Sequence, residues 1–129
     1  DAIDNLVIPL RRTVEIFALR QYFHEINSKD IRSWENCLKK MKIACLEKSF
    51  NKIIECDIEF HRLIVERSNI VDVISIWNLL ISRVQGHFMR NYHKYRDPME
   101  IYFEHEAIFS MFRTGKLDAA IQILESNIE

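Results

Sequence analysis

Apolar residues recur along this chain at intervals of three and four almost throughout, the period of helices packed on one side. From Pro9 onward, Leu10, Val14, Phe17, Ala18 and Phe23 fall roughly on one stripe, with Arg11, Arg12, Glu15 and Arg20 around it, which predicts a helix over about 7–25. Pro9 suits the first turn, where its missing N–H is no loss. Asn27 with Asp30 three positions on reads as a capping box, opening a second helix over about 29–48. Its inner face is Ile31, Trp34, Leu38, Met41 and Cys45, and Lys39, Lys40 and Lys42 form a solvated side. A third helix over about 50–68 carries Ile53, Ile54, Ile58, Phe60, Leu63 and Ile64, and Ser68-Asn69 ends it. The fourth, about 70–94, is the longest and most apolar, with Val71, Val73, Ile74, Ile76, Trp77, Leu79, Leu80 and Ile81, and is expected at the centre. A polar link from Lys94 to Asp97 leads to Pro98, which opens a fifth helix over about 98–113. Gly115 suits its C′ position, and a sixth helix runs from about 116 to the end. The links are short, so neighbours run antiparallel. The expected fold is all-α, an antiparallel bundle of about six helices, with residues 1–129 as one domain.

Composition narrows the picture. Two glycines and two prolines in 129 residues are too few for the turns of a β-sandwich or barrel, and for any Gly-rich phosphate loop. Eighteen Lys and Arg against nineteen Asp and Glu give a net charge of −1, which argues against a surface that grips nucleic acid. Cys37, Cys45 and Cys56 include no CxxC pair and read as reduced, partly buried thiols of a cytoplasmic protein. No run of about 18 uncharged apolar residues occurs, so no membrane helix is expected.

Three short segments carry metal-capable side chains. Asp57 and His61 stand four apart, one helical turn above one another, so one helix can present a carboxylate and an imidazole to one ion. Glu104-His105 lies mid-helix among Phe103, Ile108 and Phe109, and Ser126-Asn127 lies near the C-terminus. Catalytic patterns are missing. A di-iron bundle needs Glu three residues before His, yet Ile58 precedes His61 and Tyr102 precedes His105 at that spacing. There is no HExxH and no nucleophile elbow, and Asp57 and Glu59, two apart, point in different directions. An enzyme is not expected.

The ordered set of motifs resembles the FCD (FadR C-terminal) domain, the ligand-sensing part of bacterial GntR-type transcription regulators. The resemblance runs from about Leu10 to the last residue. Arg11-Arg12-Thr13-Val14-Glu15 is similar to the family's Arg-x-x-Leu-Glu signature, and Asp57-x-x-Phe60-His61 to its Asp-x-x-x-His. Ser68-Asn69 stands where the family often has Gly-Asn, Glu104-His105 resembles its Glu-His, and Gly115-Lys116-Leu117-Asp118-Ala119-Ala120 resembles its turn into the last helix.

The resemblance implies a regulatory domain that binds a small organic carboxylate through a divalent metal, Zn²⁺ or Ni²⁺ foremost. Asp57, His61 and His105 match three of the family's metal ligands, and Asn127 stands where a third His is expected. An amide oxygen is a weaker ligand for these ions than imidazole. Arg11 matches the helix 1 arginine that can pair with an effector carboxylate, and Arg83 on helix 4 is a second candidate. The resemblance further implies a homodimer that reaches DNA only through an N-terminal winged helix-turn-helix outside this chain, with no membrane. The chain lacks an initiator Met, as an effector domain apart from its DNA reader would. Two other readings compete: a metal-free helical interaction domain, and a small helical metalloenzyme with Glu59 or Glu104 as base.

Overall fold

The computed structural model describes every residue except His93, and Met89 by its backbone alone. Among the described residues there is no strand. Six α-helices follow in order: α1 (Ile8–Tyr22), α2 (Ser28–Leu46), α3 (Phe50–Glu66), α4 (Val71–Tyr92), α5 (Met99–Arg113) and α6 (Leu117–Asn127). A π-helical turn, Ile3–Val7, leads into α1, and a 3-10 turn, Phe23–Glu25, follows it. Helical structure thus begins before Pro9. A proline ring clashes with the carbonyl four residues back, and the wider π turn gives it room.

Local chemistry sets the helix ends. The capping box forms as expected: the Asp30 N–H donates to Asn27 Oδ1 at 2.9 Å and the Asn27 N–H to Asp30 Oδ2 at 3.0 Å. Gly115 takes φ 68° after α5. The Lys116 N–H reaches back to the Met111 carbonyl at 3.0 Å and the Gly115 N–H to Phe112 at 3.4 Å. This is a Schellman closure, and Lys48 closes α2 the same way with φ 54°, without a glycine's freedom.

The centre is α3, which packs against α1, α2 and α4, while α5 bridges α2 and α6. Under the site lies an aromatic core. Phe60 stacks on Phe112 with centroids 6.4 Å apart and meets His105 edge-on at 5.0 Å, and Trp34 packs on Phe112 at 4.8 Å.

Two expectations fail here. The longest helix is not central, nor is it the most apolar one. α4 packs on α1, α3 and the first turn, and leaves Val71 74% and Leu79 68% exposed. Its apolar residues are spread around the axis, with Trp77, Leu80, Ile81, Val84 and Phe88 facing in. Abundance is not direction. Helix α1 also follows its expected stripe only in part: Ala18 is buried, as is Phe23 just after the helix, and Val14 packs against the core. Leu10 and Phe17 lie outside, and the buried face is Ile8, Arg11, Glu15, Ala18, Leu19 and Tyr22. Arg11 and Glu15 are 2% and 0% exposed. Such groups go inside only when paired, and their pairing builds the site.

Candidate metal centre and effector cavity

One turn of α3 places Asp57 and His61 on the same buried side, and α5 brings His105 across to them. The ligand-capable atoms of these three lie within 4.8 Å of one another. Asp57 Oδ1 is the focus: His105 Nε2 lies 2.8 Å from it and His61 Nε2 3.3 Å. Asn127, the last residue of α6, brings Oδ1 to 3.0 Å from His61 Nε2. All four residues that the sequence proposed as ligands are thus together.

The far side of each imidazole is fixed. His105 Nδ1 donates to the Ile101 carbonyl at 2.7 Å, one turn back on its own helix. His61 Nδ1 donates to Glu15 Oε1 at 2.5 Å. A carbonyl and an ionised carboxylate oxygen can only accept, so each Nδ1 carries a proton. In the neutral ring Nε2 then holds the lone pair. Both lone pairs would point at the same carboxylate oxygen. A divalent cation among Asp57, His61, His105 and Asn127, or a further proton on the rings, turns that repulsion into attraction. Outer partners that hold Nδ1 and leave Nε2 bare are the usual support of a metal-ligating histidine. The donor set fits a divalent ion of nitrogen- and oxygen-binding preference.

Glu15 is fully buried between α1, α3 and α4. Besides His61 it accepts from Arg11 Nε at 2.8 Å and from Trp77 Nε1 at 2.9 Å, both on Oε2. Burial pushes its carboxyl up, but the charges of His61 and Arg11 and these hydrogen bonds outweigh that and hold it below the ordinary value. Asp57 behaves alike. Burial raises it, and the His105 charge and hydrogen bond, with His61, bring it well below the carboxylate range. For His61, burial lowers the value, and Glu15 more than compensates, so the ring holds its proton more tightly than a free histidine.

Above the cluster lies a small cavity of about 30 Å³, room for an ion or about one water. Arg11, Tyr92, Lys94 and Tyr95 line it beside the four clustered residues. The Arg11 guanidinium lies 5.5 Å over the Phe88 ring. Among the described residues its one hydrogen bond runs from Nε. The two Nη nitrogens thus remain as donors on a residue that lines the cavity. At the mouth, Lys94 pairs with the Glu129 carboxylate. Arg83 is exposed on α4 and is not among the lining residues.

Glu59 is exposed and pairs with Arg62 at 3.4 Å, and Glu104 accepts from the Tyr95 hydroxyl at 2.8 Å. Neither lines the cavity. Sequence reasoning did not single out Glu15, Trp77 and Tyr92 as site residues. Glu15 had a signal, as a carboxylate four residues from Arg11 inside a quoted motif. Tyr92 had none, since its partner is 35 positions away.

No curated protein matches the chain. Escherichia coli McbR/YncC is similar in structure, with a TM-score of 0.81 at 17% identity over 95% of this chain. The match covers 62% of that chain, so this sequence spans less than two thirds of its neighbour. The FCD domain family matches residues 7–129. The chain therefore belongs to the FCD family, the ligand-binding domain of GntR-type transcription regulators.

Proposed function

We propose that this effector-binding domain takes a small organic carboxylate at the cavity above Asp57, His61 and His105, with a divalent ion held by these three and Asn127. The observation that carries this reading is the convergence of two Nε2 atoms on Asp57 Oδ1 while each Nδ1 is tied elsewhere. The bound ion supplies positive charge and an open coordination position for a carboxylate oxygen. Arg11 adds its free Nη donors, which suit the second oxygen of the same group. Arg83, exposed on α4, needs a different geometry to take part and is the weaker effector contact.

The domain acts as a homodimer whose attached DNA-binding domains shift arrangement when the effector binds. A ligand moves such an equilibrium only by binding one arrangement better than the other. The exposed apolar residues of α1 and α4, which pack side by side, support a second copy on that side. Among the described residues no helix is long and apolar enough to cross a membrane, and a cytoplasmic setting is part of this reading. Glu59 and Glu104, the two bases that a hydrolase reading would use, lie outside the cavity, which supports a sensor over that reading.

A metal-free reading has its own observation. Among the described residues no side-chain nitrogen or oxygen that is wholly closed off from solvent lacks a hydrogen-bond partner. A half-turn of the Asn127 amide would offer Nδ2–H to a neutral His61 Nε2 and complete part of the network without an ion.

Calorimetric titration of a panel of organic acids into metal-loaded and chelated protein tests the proposal. Binding of a carboxylate that depends on the metal is the expected result. Silence across the panel with loaded protein contradicts it.

A further inference from the structure

The carboxylate of Asp57 is used at both ends. Oδ1 faces the two imidazoles, and Oδ2 accepts the Tyr92 hydroxyl at 2.5 Å. Tyr92 is the last residue of α4 and is buried. Its ring stacks on Phe88 with centroids 6.3 Å apart and meets Tyr95 edge-on at the same separation. The hydroxyl is therefore aimed by packing on two sides. An ionised Asp57 Oδ2 can only accept, so the Tyr92 hydroxyl is the donor in this bond.

We propose that Tyr92 is a positioning residue that confines Asp57 to one ligating oxygen and so keeps a coordination position free for the effector carboxylate. This rests on the metal reading of the site. A carboxylate with both oxygens free can chelate an ion and occupy two positions. Here the second oxygen is already engaged, and Tyr92 itself lines the cavity from which an effector approaches. Asp57 then contributes charge without closing the site. The same bond ties the end of α4 to the cluster.

The test uses Co²⁺ as a spectroscopic ion and acetate as the carboxylate. Wild type and Tyr92→Phe are each loaded with Co²⁺ and titrated with acetate while the visible bands are followed. Both are expected to take up the ion. Acetate is expected to shift the wild-type bands, with a midpoint about tenfold higher in Tyr92→Phe, where Asp57 Oδ2 is free to compete. Equal midpoints, or wild-type bands that do not respond, overturn the role of Tyr92 while leaving the metal site standing. Failure of wild type to take up Co²⁺ overturns the metal reading and this inference with it. A second measurement needs no variant. The infrared difference between loaded and metal-free wild type, labelled with ¹³C-aspartate, reads the carboxylate stretches directly. A widely split pair, marking one-oxygen ligation, is expected, and a narrowly split pair overturns the proposal.

Discussion

Glu15 and His61 lie 46 positions apart in sequence and share a 2.5 Å contact between Oε1 and Nδ1, buried on every side. That contact explains why α1 turns charged residues inward, and it sets which nitrogen of His61 faces Asp57. Glu15 also satisfies Arg11 and the Trp77 indole. Removing it leaves three donors without an acceptor. Glu15→Ala is therefore expected to lower unfolding free energy by about 3–5 kcal/mol, the cost of breaking a buried charged network. Urea unfolding measures this, and a loss under about 1 kcal/mol would place Glu15 among ordinary surface charges. Glu15→Gln keeps the shape and is expected to weaken metal binding about tenfold or more, through loss of the outer partner of His61.

The same groups fix a pH dependence for chelated protein. Glu15 and Asp57 sit below their ordinary values of 4.5 and 3.8, so their stabilisation is full above those values and fades as pH falls through the folded ones. His61 sits above its ordinary 6.5, so its contribution is full below that value and fades as pH rises through the folded one. The urea midpoint of metal-free protein is expected to peak between about pH 4.5 and 6.5 and to decline on both sides. Metal binding needs Nε2 without a proton, so loading is expected to move the alkaline decline to higher pH. A midpoint that rises steadily from about pH 5 to 8 without metal contradicts the charged His61.

The outward face of α4 makes a separate expectation. Leu79 is 68% exposed and stands three residues from Ile76 at 49%, and Leu10 and Phe17 are exposed on α1, which packs against α4. Isolated apolar residues on a surface need no explanation, but a contiguous patch marks a contact. Leu79→Glu is expected to convert a dimer to a monomer in sedimentation velocity with unchanged helical circular dichroism. A wild-type chain that sediments as a monomer contradicts this face as the dimer contact.

Features legible in the sequence were those decided within one or two helical turns. The Asn27–Asp30 box, the turn at Gly115 and the pairing of Asp57 with His61 depend on neighbours in the chain. Resemblance supplied His105 and Asn127, which periodicity alone leaves as one core histidine and one fraying end. The side of α1 that faces inward was legible only in part: Ala18 lies inside as its stripe predicts, and Leu10 and Phe17 do not. A stripe of apolar residues predicts the buried side only when charged residues have no reason to be inside, and Arg11 and Glu15 have that reason in His61 and Trp77. The place of α4 was not legible either, because a helix rich in apolar residues can owe some of them to a contact outside its own fold. Tyr92 belongs to the site through a bond across 35 positions, and nothing local announces it.

The central claim is that Asp57, His61, His105 and Asn127 hold a divalent ion. Elemental mass spectrometry of the purified, tag-free chain, before and after dialysis against chelator, addresses it most directly. The account expects about one equivalent of Zn²⁺, Ni²⁺ or a similar ion per chain, removed by chelator and lost in Asp57→Ala. A chain that carries no metal, and takes up none when Zn²⁺ or Ni²⁺ is supplied, contradicts it.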